Sequence, residues 1–343
     1  MALKSFVKKM DITTYSDAQL AGQRLMVGFE GTQFGRELEF LIDEIKVGGI
    51  ILFARNLIDP GQIKHLCFQA QEYARSRRQP PLLIAIDQEG GQVARLKKPF
   101  TRFAGNPEME SRLDAERFAQ ITAAELAEVG INMNMAPVLD VAFHGPESIM
   151  DGRSFGHDPL WVADLGTTVI EHLQKSGIMA VAKHFPGIGR TTLDSHLDRP
   201  DLDIDLNTLK ATDLLPFEAA IQSKVAGIML AHIRYQKLDA LWPASLSPLI
   251  AGDLLRNRMG FDGIVLTDDL DMGAIKKHYD IKSAIHQILL ADIDMALICH
   301  SRPDIKSAFN EILKSQASSQ TLKTKGGESA GRILTLKRKY LAK

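Results

Sequence analysis

The chain has 343 residues, 45% hydrophobic and 24% charged, enough for one large barrel or two mid-sized domains with a substantial core. Its 41 Lys and Arg against 42 Asp and Glu leave a formal net charge of −1, so no global field favours nucleic acid or an anionic membrane. Short apolar runs then alternate with amphipathic stretches along the whole chain. Leu25–Gly28 is followed by a helix over Gly35–Ile45, Gly48–Phe53 by one over Gln62–Ala74, and Pro81–Ile86 by one over Ala115–Val129. Ile131–Val138 precedes a helix over Leu160–Lys175, Met179–Lys183 one over Leu206–Ser223, and Gly227–Ala231 one over Ser247–Arg258. Gly263–Thr267 leads to Lys282–Ala291, and Met295–Cys299 to Asp304–Lys314.

The apolar runs are near-continuous Val, Ile, Leu, Met and Ala, as in strands covered on both faces. Strands alternating with helices predict parallel βαβ units, and eight of them predict a closed (β/α)8 TIM barrel in the α/β class. An open doubly wound sheet is the alternative. One domain is expected over residues 1–343, with an additional C-terminal helix near 329–343 and a solvated basic end over Leu336–Lys343. Cys67 and Cys299 are far apart with no C-x-x-C spacing, so neither a disulfide framework nor a zinc cluster is suggested. Met1–Thr14 has no apolar signal-peptide core, and no apolar run nears the ~18 residues that span a bilayer. The expectation is a soluble cytoplasmic protein with no membrane partner. On oligomeric state the sequence is silent: it has no heptads and no obvious apolar stripe, so a monomer is allowed.

Polar residues gather just after the strands: Asp87-Gln88-Glu89, Asp140, Lys183-His184, His232, Asp268-Asp269 and His300. The C-terminal mouth of the strands is where barrel enzymes keep their chemistry. Four segments stand out. Asp87 and Arg95 flank a Gly90-Gly91 turn and suit hydroxyl recognition. Arg153, in Asp151–Gly156, carries a rigid fork of donors for a carbonyl or hydroxyl. Lys183 and His184 end one strand, and Asp194 and His196 stand two apart in the loop behind it. That spacing lets a carboxylate orient an imidazole, as a general acid/base requires. Asp268, Asp269 and Asp271 end the seventh strand, where an aspartate could attack an anomeric carbon. These residues do not by themselves choose between Asp268 and Asp269.

Together the segments resemble the β-N-acetylhexosaminidases of glycoside hydrolase family 3, in the bacterial single-barrel branch of cell-wall recycling. The similarity runs from about Gly28 to His300, and Lys-His-Phe-Pro-Gly followed by Asp-Ser-His is its most specific part. The resemblance implies a retaining, metal-independent hydrolase with no cofactor, acting on a small carbohydrate bearing terminal β-linked N-acetylglucosamine. It assigns Asp268 as nucleophile and His196, oriented by Asp194, as acid/base. It assigns Asp87, Arg95, Arg153, Lys183 and His184 to holding the sugar. Three positions depart from the family pattern: Ile188 where His is frequent, Arg190 where an acid is, and Gln92 where Arg is. They bear on aglycone preference and loop behaviour. Alternative readings are a phosphorylase of the same family, a metal-dependent barrel hydrolase built on His184, His196, His232 and Asp268, and a sugar-binding barrel without turnover.

Overall fold

The computed structural model describes residues 12–143, 148–195 and 197–342; residues 1–11 of the N-terminal stretch, His196 and Lys343 lie outside the described residues. Eight parallel strands close into one barrel: β1 (Leu25–Val27), β2 (Gly49–Leu52), β3 (Leu83–Ile86), β4 (Met133–Asn134), β5 (Met179–Phe185), β6 (Gly227–Leu230), β7 (Ile264–Asp269) and β8 (Met295–Ile298). Each pairs with its sequence neighbours, and β8 returns to β1 with Leu25 opposite Ala296. The barrel expectation is met, and the open sheet is excluded.

Closure follows from alternation. Successive side chains of a strand point to opposite faces, and here both faces are apolar. Met26, Ile51, Leu83, Met133, Met179, Val181, Met229, Leu266 and Met295 form one packing layer, the barrel interior. Leu25, Ile50, Ile84, Ala182, Ile228, Val265 and Ala296 join the other, against the helices. Flexible thioethers suit an interior of irregular shape. The helices behind the strands start on side-chain caps, which satisfy donors otherwise left open: Asp59 accepts from the Gln62 amide, Ser111 from Asp114, Asp205 from Thr208 and Asp280 from Lys282.

Four expectations need correction. The fourth strand, read as Ile131–Val138, is regular only over Met133–Asn134, because Pro137 has no amide to give to a ladder. The chain still runs beside β5, with the Lys183 amide donating to the Pro137 carbonyl. The helix read as Leu206–Ser223 is two, Leu206–Ala211 and Leu215–Gln222, broken where Thr212 and Asp213 turn toward another loop. The C-terminal helix spans Gln320–Leu341, starting earlier than 329 on the Ser319 cap. The basic end is not uniformly solvated either: Lys337 is buried and donates to the Gln23 amide oxygen at 2.5 Å.

That C-terminal helix lies across the bottom of the barrel and is fastened there by charge. Asp294, just before β8, is wholly buried; it accepts from Arg256, from Arg332 Nε at 2.8 Å and from the Val265 amide at 2.8 Å. The fully buried Arg24 donates to the Ile293 and Asp294 carbonyls. Asp292, part-exposed, also pairs with Arg256 and Arg332, but Asp294 is the wholly buried carboxylate among them. Asp294→Ala should therefore lower unfolding free energy by about 3–5 kcal/mol in urea titrations. A loss below about 1 kcal/mol would show that Asp292 and solvent balance those arginines without Asp294.

Candidate active site

The mouth is built around a buried ion cluster drawn from three segments. Lys183, at the inward parity of β5, is 3% exposed, and its Nζ lies 2.8 Å from Asp87 Oδ1 and 2.6 Å from Glu89 Oε1. Glu89 in turn accepts both prongs of Arg153, Nε at 2.9 Å and Nη2 at 2.7 Å. Arg95 Nη2 stands 3.5 Å from Asp87 Oδ2. The turn between these groups uses Gly90 and Gly91 at φ 88° and 57°, and a Cβ on Gly91 would press to 2.8 Å from the Ala104 carbonyl.

Burial by itself would raise both carboxyls of this cluster. Lys183 and Arg95 outweigh it for Asp87, which sits at about 2. Lys183 and Arg153 do the same for Glu89, which is also lowered. The site thus carries fixed charges of both signs, with Lys183 and Glu89 buried at its centre and the groups already oriented. Among the described residues Arg95 Nε is a buried donor with no hydrogen-bond partner.

His184 follows Lys183 and is fixed by Asp140, which accepts from His184 Nδ1 at 2.8 Å, from its amide, and from the Ile188 amide. With Nδ1 donating, Nε2 is the nitrogen left for the mouth. His232, after β6, lies 2.7 Å from Ser245 Oγ through Nδ1 and 2.9 Å from the Asp269 carbonyl through Nε2. Since a carbonyl only accepts, Nε2 carries the proton.

The acid pair at the end of β7 divides by environment. Asp268 lies where β7 shifts register against β8, between Leu266 and Asp269, and one of its oxygens accepts the Asp269 amide at 2.8 Å. Burial would raise its carboxyl, but His184 and His232 together hold it below the ordinary value. Asp269 points aside, accepting the Asp271 and Cys299 amides. Burial, with the charges of Asp271 and Asp268 added, pushes it up to about 7. At neutral pH Asp268 is ionised and Asp269 is only partly so.

Asp87, Arg95, Arg153, Lys183 and His184 are therefore brought together with Asp268. Asp194 lies on the loop after β5, and its companion His196 is outside the described residues. Two contributors, Glu89 and Asp140, had no role in the sequence reading, and His232 entered it only in the metal-dependent alternative. Their only signal was a place just past a strand end. Gln92, one of the departures, lies against Gly152, where a Cβ would come within 2.0 Å of its Nε2, so it supports the Arg153 loop. Among the described residues no three His, Cys, Asp or Glu side chains are arranged to hold a metal ion. His184 spends Nδ1 on Asp140, and His232 spends both ring nitrogens on Ser245 and the Asp269 carbonyl.

Residues 18–336 match the glycosyl hydrolase family 3 N-terminal domain. The chain belongs to glycosyl hydrolase family 3. Among family 3 relatives, a β-hexosaminidase of Alkalilimnicola ehrlichii is 34% identical over 285 residues, 80% of each chain. β-Hexosaminidase A of Pseudoalteromonas piscicida is 35% identical over 328 residues, 84% of this chain and 55% of that one. A family 3 β-N-acetylglucosaminidase of Paenibacillus superposes with a TM-score of 0.91 at 36% identity, covering 95% of this chain and 63% of that one. The chain thus spans little more than half to under two thirds of the last two relatives.

The raised Asp269 carboxyl makes a family 3 barrel of this kind pH-sensitive in a defined direction. Unfolded, Asp269 ionises near 3.9; folded, near 7. Between those values the folded chain binds the extra proton, so this group's contribution to stability falls as pH rises from about 4 to 7. Asp269→Asn should flatten that part of a stability–pH curve measured by urea unfolding. An unchanged slope would mean that Asp269 ionises normally in the folded barrel.

Proposed function

We propose that this chain, a family 3 glycoside hydrolase, is a retaining β-N-acetylglucosaminidase that releases terminal β-linked N-acetylglucosamine through a covalent glycosyl-enzyme, with the barrel as its catalytic unit. The observation that carries the reading is the split between the two acids. A nucleophile must be ionised at working pH; His184 and His232 hold Asp268 below the ordinary carboxylate value, while Asp269 is pushed up to about 7. The names of the relatives, β-hexosaminidase and β-N-acetylglucosaminidase, support the sugar.

In the first step Asp268 forms a bond to the anomeric carbon as the bond to the glycosidic oxygen breaks. That oxygen takes a proton from His196, whose imidazole Asp194 orients. In the second step neutral His196 takes a proton from water; the water attacks the anomeric carbon, and the carboxylate leaves, giving product of retained β configuration. Asp87, Glu89, Lys183, Arg153 and Arg95 supply a preformed set of donors and acceptors for hydroxyls and the acetamide. The open Arg95 Nε suits a sugar oxygen. Such fixed dipoles stabilise developing charge without reorganising.

For the aglycone, the resemblance points to GlcNAc–anhydro-muramic acid fragments of wall turnover. For the compartment, it points to the cytoplasm, where Cys67 and Cys299, both buried and unpaired, would stay as thiols. No described helix is long and apolar enough to cross a membrane.

The test sets nitrophenyl β-N-acetylglucosaminide beside nitrophenyl β-glucoside, with chelator present. The N-acetyl sugar should be cleaved in strong preference. Asp268→Asn should fall to the buffer blank, and Asp269→Asn should lose less than about tenfold, under 1.4 kcal/mol of transition-state stabilisation. Equal cleavage of both sugars, or Asp269→Asn as the inactive variant, contradicts the reading. Sugar 1-phosphate formed in phosphate buffer would replace hydrolysis by phosphorolysis.

A further inference from the structure

The loop that leaves β5 has a fixed stem. Gly187, at φ 121°, gives its carbonyl to the buried Tyr235 hydroxyl at 2.8 Å, and a Cβ there would lie 3.0 Å from Asp213 Cβ. The Ile188 amide is held by Asp140, the Gly189 carbonyl by Ser148 Oγ at 2.9 Å, and the Thr191 carbonyl by the Ile149 amide. Arg190 adds a tie from this stem to the break between the two helices that follow it. Its Nε donates to Asp213 at 2.9 and 3.2 Å, its Nη2 donates to Thr212 Oγ1 at 2.9 Å, and its guanidinium lies 3.8 Å from the centre of the Phe143 ring. Asp213 is wholly buried.

The partners sit where the helix expected over Leu206–Ser223 is broken. Thr212 leaves helical geometry at φ −140° and ψ −80°, which ends the first helix and presents the Thr212 hydroxyl and Asp213 carboxylate together. Three contacts in different directions fix a planar guanidinium in both position and orientation, which a lysine ammonium cannot match. Beyond the stem exposed and buried residues alternate, and the buried Ser195 carbonyl accepts the Ala274 amide at 3.1 Å. Leu193 is 42% exposed, and Leu197 64%. Asp194 and His196 belong to this outer part by sequence.

We propose that Arg190 is a positioning residue for acid/base catalysis: its grip on Asp213, Thr212 and Phe143 fixes the stem from which Asp194 and His196 are presented to the departing glycosidic oxygen. The inference rests on the reading of His196 as acid/base. It assigns Arg190 no contact with substrate. An arginine serving only fold stability would occupy the same pocket, so the test must separate the two.

The full chain is assayed as Arg190→Met, Arg190→Lys and Asp213→Asn, with His196→Ala as reference. One substrate is nitrophenyl β-N-acetylglucosaminide, whose leaving group needs no proton; the other is methyl β-N-acetylglucosaminide, whose leaving group does. Misplacing a catalytic group by about 1 Å costs on the order of 10²-fold. Arg190→Met should therefore lose about 10²-fold in kcat on the methyl glycoside and only a few-fold on the nitrophenyl one, with KM little changed, following His196→Ala in pattern. Arg190→Lys should recover part of the loss, and Asp213→Asn should shift in the same direction by less. Thermal unfolding accompanies each variant; if Arg190→Met does not fold, Arg190→Lys and Asp213→Asn carry the comparison. Equal losses on the two substrates, or no loss on either, overturn the proposal while leaving the reaction in place. A wild-type chain that cleaves neither substrate overturns the reaction and the proposal together.

Discussion

The structure at the mouth depends on one constraint: an ammonium group, Lys183, kept out of water between two carboxylates. A lysine 3% exposed is stable as a cation only because Asp87 and Glu89 lie within 2.8 Å. Those carboxylates are stable as anions only because Lys183, Arg95 and Arg153 surround them. Removing any one member leaves an uncompensated buried charge, which costs far more than the pair contributes. The cluster therefore cannot be dismantled piecemeal. It joins the end of β5 to the turn after β3 and to the Arg153 loop, so its electrostatics also fix the shape of the pocket.

Around that cluster, position within a strand decides chemistry. Asp268 and Asp269 are adjacent and identical in type, yet one faces inward toward His184 and His232 and the other turns toward the amides of Asp271 and Cys299. The first is lowered and the second raised to about 7. Environments that push two like groups apart are how one site separates an ionised role from a neutral one. The same economy appears in the histidines, each of which has a ring nitrogen fixed by a partner outside the pocket.

Much of the fold was legible because alternation is a local property. Eight apolar runs with amphipathic stretches between them have few other solutions than a closed barrel, and polar residues after strand ends mark its mouth. What stayed hidden depended on partners distant in sequence. The helix break at Thr212–Leu214 serves Arg190, 23 residues before Asp213. Glu89 reads as one more acid in a polar turn until Arg153, 64 residues on, is seen to hold it. Lys337 reads as a solvated charge until Gln23, 314 residues away, meets it. The choice between Asp268 and Asp269 falls in the same group, since the register shift at the end of β7 and the histidines near Asp268 become visible only in the folded barrel.

Which carboxylate attacks is the central question, and a covalent adduct reports it directly. The chain would be treated with a slow fluorinated N-acetylglucosaminyl donor, which lets the glycosyl-enzyme accumulate, and then digested and mapped by mass spectrometry. The account predicts a single added sugar on the peptide over Ile264–Asp269, fragmenting to Asp268. An adduct on Asp269, or turnover of the donor with inversion and no adduct at all, would contradict it.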